Sequence, residues 1–422
     1  MKQEGIKSQM EQVCWAGLDW GTKENAVSVV SAAGQLLAHF KTGASLEEIK
    51  GLSERLRRFP KLAGVAVESM HEAVAGHLLE QGFTLYPVNP KLSKNWRDCN
   101  SVAGVKSDER DGHVLAMELA RRHQDLRPLK RGDAAVEELA GLCRALRKLV
   151  SHRSALVQRL KATLRQYYRG GLDFFEDWTS PVAWRFLKRF PRPEVLAHTR
   201  ETTLFRFLKA NRIGLKPIWR ERVEKRVQAT QWPSPPDRLA MEVSALATAA
   251  ELQALQPRID ELDRLIAERA RELEEAKLLR TLPGAGERLD PALATIVVTA
   301  LAEGEGFEGL RCISGAAPVE DKSGKRQRVR IRKRCNKHWR NTLHLFAKSS
   351  INWCPWARAF YDLHREKGDS YATALRKLAI KWLKISVSML ESGQPYDEAR
   401  YVEALRKGTS PVYNRLCGKP CE

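Results

Sequence analysis

Apolar and polar positions change their period along this chain, and each change marks a different kind of element. The run Val13-Cys14-Trp15-Ala16-Gly17-Leu18 predicts a strand over 13–20 that ends at Asp19. Residues 25–31 alternate as a second strand, and Ala33-Gly34-Gln35 turns the chain into a third through Phe40. Ser45 is a good N-cap for a helix reaching Arg58. A strand from Leu62 to Val67 then ends at Glu68, a helix occupies 71–81, and Thr84 to Val88 forms another strand. Three antiparallel strands followed by alternating helices and strands is the order of an RNase H-like α/β domain.

After about Ala134 the period becomes helical. Leu139, Leu142, Leu146, Leu149, Leu156 and Leu160 follow a 3–4 alternation through Tyr168, the seam of a coiled coil. A second such helix spans 243–277, with Leu252, Leu255, Ile259, Leu262, Ile266 and Leu273 in phase. The two can pair with each other or with another protomer. Between them, 171–242 is rich in aromatics and prolines and reads as a mostly helical insertion. A helix over Asp290–Ala302 and one over Ala372–Leu390 follow, the latter with Leu375, Leu378, Trp382 and Met389 on its core side. Between these helices Arg328-Val329-Arg330-Ile331-Arg332 alternates, so a strand there carries one arginine face and one apolar face. The expected organisation is an RNase H-like domain over 1–130, a coiled-coil and helical insertion over 131–278 serving oligomerisation, a mostly α domain with a short basic β segment over 279–400, and a flexible tail over 401–422.

Charge narrows the class of partner. The 422-residue chain is 43% hydrophobic, enough to fold, yet carries a formal charge of +21 and a pI near 9.8. That balance fits a polyanion, through counterion release from phosphates. No apolar run reaches the length of a spanning helix, so no membrane partner is expected. Glu4 and Glu11 in an N-terminus without an apolar core speak against a signal peptide, and eight cysteines without paired spacing fit reduced thiols in a cytoplasm.

Candidate chemistry starts from acids. Asp19 and Glu68 stand at strand ends, while Asp108 and Asp111, three apart, open a helical stretch and share one of its faces. Glu109 points about 100° away from Asp108 and is left out. Four converging carboxylates need a cation, and hard oxygen ligands select magnesium or manganese, which points to metal-assisted phosphoryl transfer on nucleic acid.

Three further features stand beside the acids. Leu282-Pro283-Gly284-Ala285-Gly286 resembles the turn of a helix-hairpin-helix, where Gly284 and Gly286 let backbone N–H groups approach a phosphate; an ordinary tight turn is the alternative. Ser323, beside Gly324, stands at the head of a basic run and is a candidate nucleophile, with Ser314 as its competitor. That run holds ten Lys or Arg and no acid between Lys322 and Arg340, including Lys325, Arg326, Arg328, Arg330, Arg332, Lys333, Arg334, Lys337 and Arg340 as phosphate contacts. Cys312, Cys335, His338 and His344 match no usual zinc spacing.

Taken in order, Gly17-Leu18-Asp19, Val67-Glu68-Ser69, Lys106-Ser107-Asp108-Glu109-Arg110-Asp111, Leu282 to Gly286, Gly315-Ala316-Ala317-Pro318, Ser323-Gly324 and Tyr396-Asp397 resemble the DEDD-type transposases of bacterial insertion sequences, the bridge-RNA-guided recombinases. The resemblance runs from about 13 to 397. It implies a RuvC-like N-terminal domain, a coiled-coil middle and a C-terminal transposase domain, with Asp19, Glu68, Asp108 and Asp111 as Mg2+ or Mn2+ ligands. It also implies Ser323, rather than Ser314, as the residue that attacks a DNA phosphate. Its further implications are a structured guide RNA, double-stranded DNA at element ends and target, a dimer or tetramer with composite sites, and a bacterial cytoplasmic, nucleoid-associated setting. Ser107 where the family has threonine and Asp290 where it has a small apolar residue are departures. The expected function is a DNA transposase working through a phosphoserine intermediate. The alternatives are a metal-dependent junction endonuclease using water and a non-catalytic nucleic-acid-binding protein.

Overall fold

The computed structural model describes residues 12–418 apart from 22–23, 44, 69–71, 101–107, 130–131, 215, 232–234 and 324–325. The chain divides into two compact units, Met1–Arg131 and Gly132–Glu422.

The first unit is built on a five-stranded mixed sheet of β1 (Cys14–Trp20), β2 (Glu24–Ser31), β3 (Leu36–Gly43), β4 (Leu62–Val67) and β5 (Leu85–Pro87), in the order β3-β2-β1-β4-β5. β1 pairs antiparallel with β2 and β2 with β3, whereas β4 runs parallel to β1 and β5 parallel to β4. This is the strand order of the expected RNase H-like domain. Helix α1 (Leu46–Arg57) starts at Ser45, whose hydroxyl accepts from the Glu48 N–H while the Glu48 side chain returns to the Ser45 N–H, a complete capping box. Helices α2 (Glu72–Glu80), α3 (Pro90–Asn100) and α4 (Asp108–Arg122) complete the unit.

Strand alternation sorts the side chains onto two faces. Cys14, Ala16 and Leu18 of β1 and Val65 and Val67 of β4 pack with Ile49, Leu52 and Leu56 of α1 and with Val74, Ala75 and Leu78 of α2. Trp15 and Ala66 point the other way, against Trp96 of α3 and Leu115, Ala116 and Leu119 of α4. Asp19 and Glu68 continue the second set by parity, so both fall on the face covered by α3 and α4.

That face is pinned by glycine. A Cβ added at Gly17 would lie 2.2 Å from the Gly112 carbonyl oxygen and 2.4 Å from the Ala116 nitrogen. A Cβ at Gly112 would meet the Ala26 carbonyl oxygen at 3.1 Å. Backbone therefore lies on backbone where α4 crosses β1.

In the second unit α5 (Ala134–Tyr167) and α6 (Arg238–Glu272) form an antiparallel pair along one chain. Arg269–Glu138, Arg153–Gln256 and Arg159–Glu251 bond across it at successive levels. Of the two pairings the heptads allow, the seam is used within the chain. α6 begins at Arg238, earlier than the apolar period predicts, and ends at Glu272, with a separate short helix over Glu274–Leu279. At one end of the pair, Leu156, Leu160 and Leu164 join an aromatic cap built from the insertion, in which Phe174 stacks on Phe186 at 4.5 Å. Buried indoles there donate to carbonyls, Trp178 to Leu172 and Trp184 to Trp178. At the other end, Leu139 and Leu146 join α7 (Gly286–Ala302), α8 (Lys337–Trp353), α9 (Pro355–Glu366) and α10 (Tyr371–Ser392). The centre of that core is Trp356, Trp382 and Phe346, with the Trp382 indole donating to Ser350 Oγ at 2.8 Å.

Two expectations are corrected here. The tail is folded over its described residues: helices span Glu398–Lys407 and Pro411–Leu416, capped by Asp397 and Ser410, and Val412 is buried. Composition concealed this because a few apolar residues, Tyr401, Val402, Leu405, Val412 and Leu416, are enough to dock short helices on a larger core. Helix α7 starts at Gly286 rather than at Asp290, which is fully buried inside it. Among the described residues no helix is long and apolar enough to cross a membrane.

Replacing Gly17 by alanine should destabilise the first unit by at least about 2 kcal/mol, because the new methyl meets backbone that cannot rotate away. Denaturant titration of the variant measures this, and wild-type stability in G17A would refute the backbone contact.

Candidate active site

Asp19 sits half-buried near the end of β1. Its strand is held beside it by Asn25, a fully buried side chain that accepts from the Gly21 N–H at 3.2 Å and donates to the Gly43 carbonyl at 2.9 Å. Parallel pairing aligns Leu18 with Val67, so Asp19 and the following Glu68 leave adjacent strands at one level. Asp111 lies in the first turn of α4, beside the Gly112 that seats the helix on the sheet. Arg97 of α3 closes the arrangement. One of its terminal nitrogens, Nη1, lies 3.0 Å from Glu68 Oε2 and 3.2 Å from Asp111 Oδ2. Ser93, one turn earlier on α3, donates to the same Glu68 oxygen at 3.0 Å. Asp111 is almost wholly buried, so its charge needs such a partner.

Glu68 and Asp111 are thus gathered at one point, with Asp19 on the same face. The Asp108 side chain lies outside the described residues, although its backbone opens α4. Among the described residues no three His, Cys, Asp or Glu side chains converge tightly enough to hold a metal ion. The cationic point between the two gathered acids is a guanidinium.

In the second unit Ser323 ends strand β6 (Val319–Ser323), which pairs antiparallel with β7 (Arg326–Arg330) so that Ser323 stands opposite Arg326. The head of the basic run is therefore a hairpin end. The base of this hairpin is tied down. A Cβ at Gly315, which has φ +68°, would meet Cys335 Sγ at 2.6 Å, and the Asn336 N–H donates to the Ile313 carbonyl at 2.7 Å. The side chains of Ser323, Arg326 and Arg328, and all of Lys325, lie outside the described residues. β7 stops at Arg330, so Ile331 and Arg332 fall beyond it, and Val329 and Ile331 are exposed rather than packed. Among the described residues the apolar face read from the alternation is left uncovered, because a two-stranded hairpin has no second layer to receive it. Arg330, Lys333, Arg334 and Lys337 are exposed. Arg332 Nε lies 3.4 Å from the Ala317 carbonyl oxygen, and Arg340 Nη1 lies 3.4 Å from that of Arg332. Ser314, the competing serine, is fully buried, and its hydroxyl faces the Arg311 carbonyl.

Gly284 and Gly286 both take positive φ, +82° and +62°, and Gly284 lies against Ser349 and Ser350 of α8. They border a groove of about 1010 Å3 lined by Arg147, Arg288, His338, Leu345 and Trp353 among others.

A family model described as a transposase of the DEDD type, for IS110, matches residues 16–169. A second, described as the transposase IS116/IS110/IS902 family, matches residues 276–362. The chain belongs to the IS110-type DEDD transposases.

Relatives extend the match across nearly the whole transposase. A mini-circle protein of Streptomyces coelicolor, named as a transposase for IS117, is 26% identical over 405 residues, covering 92% of this chain and 96% of its own. An IS900 protein of 42 kDa from Mycobacterium paratuberculosis is 24% identical over 401 residues, 92% of this chain and 98% of its own. Among solved structures, T. thermophilus RuvC in complex with Holliday junction substrate is similar over 28% of this chain and 100% of its own, at 20% identity and a TM-score of 0.24.

Sequence reading passed over α3. Its Ser93, Arg97 and Asn100 recur at helical spacing on one side, the last donating to the buried Glu118 of α4 at 3.1 Å. The signal was present as Asn89-Pro90, a helix start, followed by a polar stripe flanking Trp96.

Burial, with Arg147 and Arg144 nearby, pushes His338 down from its ordinary 6.5 to about 4. A depressed imidazole contributes stability that is fully present above the unfolded value and is lost as pH falls through the folded one. The transposase should therefore lose stability between pH 6.5 and about 4. His338→Gln should lose less over that interval in parallel denaturation curves, and identical slopes would remove His338 as the cause.

Proposed function

We propose that this transposase breaks and rejoins the DNA strands of an insertion sequence through a covalent phosphoserine intermediate at Ser323. The observation that carries the acidic half of the reading is the joint hold of one Arg97 nitrogen on Glu68 and Asp111, on the sheet face that also carries Asp19. The residues fit a divalent cation. The donors are hard carboxylate oxygens, and a positively charged atom already stands between two of them as a cation would. Asp19, Glu68, Asp108 and Asp111 would hold Mg2+ or Mn2+, which when bound supplies charge neutralisation at the reacting phosphate.

In the proposed step Ser323 Oγ forms a bond to phosphorus, its proton leaves to a base, and one deoxyribose oxygen departs as a hydroxyl. Attack by another DNA hydroxyl reverses the bond changes and frees the serine. The number of phosphate esters is unchanged, so the exchange needs no external energy source. Two features support Ser323: its place at the end of a hairpin anchored by Gly315 against Cys335, and the burial of Ser314. Arg328, Arg330, Arg332, Lys333, Arg334 and the neighbouring cations would hold phosphate backbone without reading sequence. The net charge of +21 also suits a structured RNA partner that selects the DNA sites. Assembly into dimers or tetramers belongs to the same reading. α5 and α6 use their leucine seams on each other, so contacts between protomers through 131–278 would use other faces.

Incubating the protein with magnesium, DNA carrying the joined element ends and the flanking RNA, then denaturing, should leave a protein–DNA adduct. Ser323→Ala should abolish the adduct, and Asp19→Asn or Glu68→Gln should reduce its formation at least about 100-fold. Cleaved DNA without an adduct would mean that water, not serine, is the nucleophile.

A further inference from the structure

We propose that Arg97 is a resident counter-cation that a divalent ion displaces from Glu68 and Asp111, and that a DNA phosphate takes up the displaced guanidinium. The proposal rests on the metal-binding reading above and adds a residue to it.

The geometry sets up a competition. A single nitrogen, Arg97 Nη1, touches one oxygen of each acid, at 3.0 and 3.2 Å. Glu68 and Asp111 are also the carboxylates that would hold a divalent ion in the reading above. The Asp111 side chain is 4% exposed and that of Glu68 15%, so departure of the guanidinium from between them favours entry of another cation. The two carboxylates carry two negative charges, and the guanidinium cancels one. A divalent ion cancels both, and Asp19 on the same sheet face adds to its advantage. Occupancy by a metal and by Arg97 is therefore exclusive at the shared point.

Arg97 is placed to leave. Its side chain is 25% exposed, so solvent already reaches it. Ser93 Oγ holds Glu68 Oε2 independently, which keeps that carboxylate oriented while the arginine departs. A freed guanidinium beside a metal-bound acidic centre matches the planar donors that a phosphate accepts best. Binding of DNA and binding of metal then favour each other, because each removes a species that opposes the other: phosphate draws off Arg97, and metal releases it.

The test is a Mn2+ titration of the full-length protein by calorimetry, with and without a DNA duplex. In the wild type, DNA should tighten Mn2+ binding. Arg97→Gln should bind Mn2+ alone at least about tenfold more tightly than wild type, and DNA should add little further. Its melting temperature should be below wild type without metal and rise more on adding Mn2+. Arg97→Lys retains a charge at shorter reach and should fall between the two, which keeps the comparison open if Arg97→Gln folds poorly. Equal or weaker Mn2+ binding in both arginine variants would overturn the proposal. Glu68→Gln with Asp111→Asn separates the two levels of inference. If Mn2+ binding survives that pair, the carboxylate metal site itself is wrong. If the pair abolishes binding while the arginine variants match wild type, only the role of Arg97 fails.

Discussion

How closely α4 lies on β1 governs the acidic site. A helix normally rests on a sheet through side chains, with a layer of methyls between the backbones. Gly17 and Gly112 remove that layer. The first turn of α4 consequently descends toward the sheet, and Asp111 reaches the level at which Asp19 and Glu68 leave β1 and β4. Ala116 and Ala120 continue the small stripe along the helix, so the close approach is sustained over several turns rather than forced at one point. Every other feature of the site, including the reach of Arg97, presupposes that spacing.

Electrostatics divides the molecule in a way that its net charge hides. The chain is strongly basic, yet the first unit concentrates carboxylates where strand ends and a helix start coincide. The cost of that concentration is met locally by Arg97, and by Arg121 and Arg122 around Glu118. In the second unit the balance reverses. The exposed cations after β7 are arranged on a hairpin and the turn following it, where no core constrains them and a polyanion can approach. The half-buried histidine at 338 marks the limit of this: close to Arg144 and Arg147, an imidazole is held neutral well below neutral pH.

Much of this was legible from periodicity. The apolar runs of β1 and β4 placed Asp19 and Glu68 at strand ends, whereas the sheet face they share follows only from the pairing of the two strands. The Ser45–Glu48 capping box and the leucine seam of α5 were equally local signals. What escaped was information carried by tertiary contact. Arg97 looks like one more surface arginine until α3 is folded across the sheet. The apolar alternation at Val329 and Ile331 implied a covered face, but covering requires a second layer and the hairpin has none. Gly315 reads as a simple turn residue, whereas its lack of a side chain is what lets Cys335 close the hairpin base. The choice between α5–α6 pairing and pairing with another protomer was open because heptads specify a seam, not the chain that fills it.

The α5–α6 pair carries a core at each end, one reaching Val150 and the other beginning at Leu156 of the 34-residue α5. The aromatic cap enters from one end of α5 and returns into the start of α6, so it is plugged into the pair like a fitting on a shaft. Both of its attachments lie at one end of the pair, so the insertion is a single plug-in fitting, while the serine hairpin belongs to the helices packed at the other end.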